Sequence, residues 1–248
     1  MQNGADALSR QSISPNYDGP IVGVLGEITV AGIAFQLSGQ QLSLVSFLAS
    51  VGSSTRRGIA DALWDGSRVS EGRLANLLSE TRRALGEAHL PVVDNGRYQL
   101  VDLPTDLDLF QILVRSSTGG TSADEVELLT EALSLVRGVP YTVPGLRYWG
   151  WPSMTPGLSA SAEILVSDTA LNLAELALGS GDLQSARWAC EQGLRAVPLD
   201  QELTSTLSQV FLAMGKPMLA ARLLADNESA VASLGLASSA LKSSVLLR

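Results

Sequence analysis

Cysteine, histidine and lysine are almost missing from this chain: its 248 residues include one cysteine, one histidine and two lysines. Cys190 has no second cysteine to pair with, which excludes an internal disulfide and fits a reducing compartment. His89 has no second histidine or cysteine at metal-ligand spacing, so the usual zinc patterns are excluded and a surface or capping role is expected. Long apolar runs are missing too. The longest, such as "FLAMG" and "VLL", fall far short of the roughly 20 residues that span a bilayer. No charged-then-apolar leader opens the chain, so it is expected in the cytoplasm with no membrane partner. Glycine-rich phosphate loops of the P-loop or Rossmann kind do not occur. The "SxxK" string Ser239–Lys242 lacks the motifs that accompany it in acyl-transfer enzymes, and Asn227-Glu228-Ser229 is a glycosylation sequon by letters only. No cofactor, no metal and no enzymatic activity are therefore expected.

A basic excess is also lacking. The net charge is −8, from 17 Lys and Arg against 25 Asp and Glu. Residues 1–117 carry nine arginines against twelve acids, and residues 118–248 carry eight basic residues against thirteen acids. Neither half has the composition typical of a nucleic-acid binder. Only the window 56–97, with seven arginines against six acids, is less acidic than its surroundings.

At 46% hydrophobic the chain can bury one large core or two modest ones. Residues 1–19 are polar, broken by Pro15 and Gly19 and without a sustained period, and read as a disordered leader. "IVGVLGEITVAGIAFQL" from Ile21 is rich in Val and Ile, with turns at Gly26 and Ala31-Gly32, and predicts a three-stranded sheet of short strands. Leu44, Phe47, Leu48 and Val51 then share one face of a helix over 41–51. Thr55 caps a second helix, with Ile59, Leu63 and Trp64 inward and Arg56 and Arg57 exposed in its first turn. Two cations at a helix N-terminus oppose the helix dipole, so either a solvated surface tolerates them or a nearby phosphate uses them.

"SEGRLANLLSETRRALG", residues 70–86, is the most informative helix. Leu74, Leu77, Leu78, Thr81 and Leu85 recur at the three- and four-residue steps of one buried stripe. Ser70 is the expected N-cap, Glu71 suits the N-terminal dipole, and Gly86 stands just past the end. Arg73, Asn76, Ser79, Glu80 and Arg83 face outward. Then "LPVVDNGRYQLV" places two apolar strands around Asn95-Gly96, the pair preferred in a two-residue type I′ turn.

"DLPTDLD" (102–108) reads as a short acidic connector, followed by a helix from Leu107 and a capped helix ending near Val136. "RGVPYTVPGLRYWGWPSMTPG" is irregular and is expected to be held down by Trp149 and Trp151. From Leu158 the chain is helical. Gly181 and Gly215 stand 34 residues apart, and the same offset relates Leu173 to Leu207, Leu176 to Val210, Leu178 to Leu212 and Ala186 to Ala220. With Pro198 as terminator, this predicts about two helical hairpins of tetratricopeptide type, completed by flanking helices from 107–136 and 158–172.

The order of short sheet, three helices and hairpin resembles the OmpR/PhoB-type winged helix, through "VLGEITV", "IADALW", "RRALG" and "NGRYQL". "ALSLVRGVPY" and "LAELALGSGDLQSARWACEQGLRAVPLDQEL" match the bacterial transcriptional activator domain, so the whole resembles the SARP-type transcriptional regulators. The resemblance implies a mainly α chain with small β sheets: a leader over 1–19, a winged helix-turn-helix over 20–103, a tetratricopeptide-like α-helical domain over 104–235 and a tail over 236–248. It implies duplex DNA as partner, read by the helix 70–86 and the wing 91–101. The helical domain would serve dimerisation or contact with RNA polymerase or another protein.

On that reading Arg73, Asn76, Ser79, Arg83 and Arg97 touch bases or groove, since Arg pairs with guanine and Asn with adenine. Thr55, Arg56, Arg57 and Arg82 touch phosphates, which position rather than specify. Glu80 departs from the pattern, standing where two-component members of this fold often carry a base. A carboxylate accepts from cytosine but repels phosphate. A protein-interaction module whose winged helix no longer binds DNA is therefore the alternative.

Overall fold

The structure is a computed structural model that describes residues 17–64, 70–91, 96–119, 121–145 and 149–233. The leader before Tyr17, the Asn95 half of the wing turn and the tail from residue 234 lie outside the described residues. The chain is mainly helical with two small antiparallel sheets. It divides into two compact units, residues 1–118 with 137–162 and residues 119–136 with 163–248.

In the first unit, β1 (Ile21–Gly23) pairs antiparallel with β2 (Thr29–Ala31). The expected third strand after the Ala31-Gly32 turn does not form, and Phe35 stands 63% exposed. Chain from far downstream instead bonds the stretch that connects β1 to β2. Arg137 and Tyr141 donate their backbone N–H groups to Leu25 O and Val24 O, both at 2.7 Å, and Ile28 N–H reaches Thr142 O at 2.8 Å. Short strands leave backbone groups to be satisfied, and these partners satisfy them.

Helix α1 (Gly39–Val51) begins in a capping box between Ser38 and Gln41. It packs against α2 (Arg56–Trp64) and α3 (Glu71–Leu85), with Leu44, Leu48, Ile59, Leu74 and Leu78 buried. Between α1 and α2 lies β3 (Ser53–Thr55), which pairs antiparallel with β4 (Arg97–Gln99). Three polar residues with no alternation gave no strand signal, and only the partner strand defines β3.

"DLPTDLD" is not a connector. Thr105 caps α4 (Asp106–Ser117) in a capping box with Asp108, and Asp106 is 4% exposed. The Asp106 carboxylate accepts from Val24 N at 2.7 Å, from Leu25 N at 3.1 Å and from Arg137 Nη2 at 3.0 Å. Burial pushes its carboxyl above the usual carboxylate range, against the opposing pull of these donors. Helix α4 therefore packs on β1 in the first unit instead of joining the helical stack, and the expected break at 103/104 does not coincide with the division into units. The irregular segment is held by its aromatics as expected. Trp151, in the short α6 (Gly150–Met154), is 1% exposed, tilted on Phe47 at 6.0 Å and edge-on to Tyr141 at 5.9 Å between ring centroids.

The second unit holds α5 (Ser122–Ser134), most of α7 (Pro156–Ser180), α8 (Leu183–Ala196), α9 (Gln201–Ala213) and α10 (Pro217–Ser233). Gly181 and Gly215 close the α7/α8 and α9/α10 hairpins with φ of 80° and 72°, the left-handed region glycine enters without strain. Their hydrogen bonds repeat at the sequence offset: Asp182 N to Ala177 O and Lys216 N to Phe211 O, both 2.8 Å. Leu173, Leu207, Ala186 and Ala220 are buried as the repeat requires. Leu178 packs on the cluster of Ala177, Ala186 and Val210, while its counterpart Leu212 is 55% exposed, because no further repeat among the described residues follows α10. Gly193 lets α8 approach its neighbours closely. A Cβ there would lie 2.7 Å from Ala170 Cβ and 2.6 Å from Leu203 Cδ1.

Candidate nucleic-acid interface

The candidate site is built on α3. Its buried stripe is Leu74, Leu77, Leu78, Thr81 and Leu85, and Thr81 turns its hydroxyl back to Leu77 O at 2.7 Å, so no polar group is stranded on the inner side. Ser70 Oγ accepts from Arg73 N, Glu71 stands in the first turn, and Arg82 and Arg83 stand in the last, all in the sense the helix dipole favours. Burial of the stripe leaves Arg73, Asn76, Ser79, Glu80 and Arg83 exposed. Spacings of three and four residues put Arg73, Asn76, Glu80 and Arg83 on one helix face.

Arg73, Asn76 and Glu80 also share an open depression of about 500 Å³ with Ser38, Gln40, Ser70, Gly72 and Leu77. The lining is mostly polar side chains from the N-terminal ends of α1 and α3. A carboxylate thus stands among the groups proposed for base contact. Arg73 also lies over the ring of Trp64 at the end of α2, its Cζ 5.3 Å from the ring centroid.

The remaining candidate residues divide by what their side chains already do. Arg56 and Arg57 are exposed in the first turn of α2, with Arg57 Nε 3.8 Å from Asp61 Oδ2 on the same helix. Thr55 Oγ1 accepts from Gly58 N at 3.1 Å, so it caps α2 as expected. Arg97, on the wing strand opposite Thr55, donates Nε to Ser53 Oγ and Nη2 to Ser53 O, both at 3.0 Å. Arg82, the last of the expected phosphate contacts, is already engaged within the fold. It is half-buried, donates Nε to Leu90 O at 2.8 Å and Nη2 to Pro91 O at 3.3 Å, and braces the end of α3 against the chain leading to the wing. His89 bonds Val101 O through Nδ1 at 3.0 Å, closing the base of the same segment.

The chain is similar in fold to Mycobacterium tuberculosis EmbR. The likeness, to EmbR solved in complex with a low-affinity phosphopeptide, has a TM-score of 0.57 at 18% sequence identity. It covers 86% of this chain and 60% of that one, so the chain spans less than two thirds of EmbR's length. At this identity the comparison establishes the fold: a winged helix joined to a helical domain. No protein-family model matches the chain, and no curated protein matches it in sequence.

Sequence reasoning missed Ser38, Gln40 and Trp64 as parts of the site. Ser38 and Gln40 belong to the opening of α1, where the Ser-x-x-Gln spacing of Ser38 and Gln41 was the available capping signal. Trp64 was expected to point inward, and it is half-buried with a ring face turned to Arg73. Among the described residues no helix is long and apolar enough to cross a membrane, and no group of three or more His, Cys, Asp or Glu side chains is placed to hold a metal ion.

Proposed function

We infer that this chain is a DNA-binding transcriptional regulator of SARP type, which reads duplex DNA with α3 and its wing. The observation that carries the reading is the exposed face of α3, with Arg73, Asn76, Ser79 and Arg83 presented together in a winged-helix fold. The fold likeness to EmbR, a SARP-family regulator, supports it. On this reading α3 lies in the major groove. Arg73 and Asn76 meet base edges, Ser79 and Arg83 meet bases or the groove wall, and Arg56 and Arg57 meet phosphates. Arg97, tied to Ser53, lies beside the minor groove, and Thr55 and Arg82 act by fixing the elements that carry the others. The helical unit serves dimerisation or contact with RNA polymerase or another protein partner.

One observation favours a second reading. Glu80 lines the same depression as Arg73 and Asn76 on a chain of net charge −8, as a protein-docking face would allow. The test is a fluorescence anisotropy titration of the full chain on duplex DNA at two salt concentrations. Counterion release makes the log of the affinity fall with log salt by a slope of about 0.9 per neutralised phosphate. Arg83→Ala weakens binding to every sequence, and Glu80→Gln strengthens it by relieving repulsion from phosphate. Flat, salt-insensitive curves at high protein concentration would end the DNA reading in favour of the protein-docking one.

A further inference from the structure

We propose that Trp64 is a positioning residue for base selection: its indole face holds the Arg73 guanidinium on the reading face of α3, and Arg73 is thereby the specificity-determining side chain of the interface. The proposal rests on the duplex-DNA reading above. An arginine free in solvent samples many rotamers and must be ordered when it binds, whereas one resting on a ring is ordered beforehand. Arg73 Cζ lies 5.3 Å from the Trp64 ring centroid, inside the range of a cation–π contact, and tryptophan has the strongest such face. A guanidinium held by its face keeps its N–H edge available, and that edge pairs bidentately with guanine O6 and N7.

Two further observations single out this pair. Trp64 Nε1 is buried with no hydrogen-bond partner among the described residues. The indole at the end of α2 thus meets Arg73 through its ring face, and a leucine there would offer the guanidinium no such face. Three of the other candidate arginines are committed differently: Arg82 to the carbonyls of Leu90 and Pro91, Arg97 to Ser53, and Arg57 to the neighbourhood of Asp61. Arg73 stands in the first turn of α3, the part of a reading helix that meets base edges, beside Asn76 and Glu80.

The experiment selects from a pool of random 24-base-pair duplexes with the full chain and sequences what is retained. Wild type enriches a motif with one G·C position, and Arg73→Ala lowers the preference there about tenfold, the scale of one bidentate pair. Trp64→Leu lowers it by a similar factor and Trp64→Phe by about threefold, in the order of ring faces. In both Trp64 variants the preference at that position falls by a larger factor than the affinity for unselected duplex does, a split that mere loss of stability does not produce. In the Trp64→Leu background, Arg73→Ala has no further effect on the motif. A Trp64→Leu motif identical to wild type overturns the proposal and leaves DNA binding standing. A wild type that enriches nothing and shows no salt-dependent binding removes the DNA reading and the proposal with it. Should Trp64→Leu fail to fold by circular dichroism, Trp64→Phe decides: loss of preference at that single position supports the proposal, and an unchanged motif overturns it.

Discussion

Replacing Asp106 with alanine tests the account of how the first unit is held together. The carboxylate accepts from two backbone N–H groups, those of Val24 and Leu25, and both residues are 0% exposed. Truncation strands both donors at about 1–3 kcal/mol each. It also removes the acceptor of Arg137, and breaking a buried pair from one side costs about 3–5 kcal/mol when the orphaned charge stays buried. The Arg137 side chain is 40% exposed and turns to water, so its share is small. The expected loss is about 3–5 kcal/mol, most of it from the backbone donors. The assay is urea unfolding followed by tryptophan emission in a Trp188→Phe background, which removes a second-unit fluorophore and leaves Trp64, Trp149 and Trp151 of the first unit as reporters. Asp106→Asn supplies the pH arm. Burial raises the folded carboxyl above its ordinary 3.8, so the folded state keeps its proton to higher pH than the unfolded state does. The stability this proton contributes is fully present below 3.8 and is lost as pH rises through the folded value. The difference, wild type minus Asp106→Asn, therefore falls with rising pH across that window. An Asp106→Ala loss below about 1 kcal/mol, or a difference that climbs with pH, would refute the reasoning.

Gly193→Ala places a methyl 2.7 Å from Ala170 Cβ, which cannot rotate away, and is expected to destabilise the second unit by about 1–2 kcal/mol in thermal or urea unfolding. Gly179→Ala, in α7 with open space at the same position, is expected to stabilise by about 0.5–1 kcal/mol, so equal effects from the two changes would contradict the close approach of α8. Cys190 is buried and its thiol is pushed up to about 12, so native protein is expected to resist iodoacetamide at pH 8 while urea-unfolded protein reacts at the rate of a free thiol. Rapid native alkylation would show that α8 opens.

The parts of the fold that could be read in advance are those in which one physical demand is repeated along the chain. In α3 the buried stripe, the Ser70 cap and the Gly86 stop all point to the same helix, and the inside and outside of that helix follow from them. The two hairpins of the second unit are written twice, down to the left-handed glycine and its capping hydrogen bonds. What escaped were pairings between distant residues. Nothing local in Ser53–Thr55 says strand, because its partner lies beyond α3. Nothing local in Asp106 says buried, because the donors that admit it are Val24, Leu25 and Arg137. The candidate site follows the same division. Its exposed face on α3 was readable from periodicity, whereas the Trp64 platform, the Arg82 brace and the Ser53 tether of Arg97 depend on neighbours that spacing does not announce.

The lacing of residues 137–142 onto residues 24–28 bears on anyone who divides this protein for expression. The first unit is not a contiguous stretch of sequence, since the chain leaves it after residue 118 and returns at residue 137. A fragment ended at residue 103 would omit the Asp106 acceptor, the carbonyl and amide partners supplied by Arg137, Tyr141 and Thr142, and the Trp151 ring that covers Phe47. During synthesis, likewise, the winged helix cannot close its core when its last strand emerges, and must wait about sixty residues more for the segment that finishes it. The winged helix, although its strands and helices precede those of the helical unit in the sequence, is not complete until a piece of that unit, residues 119–136, has also been made.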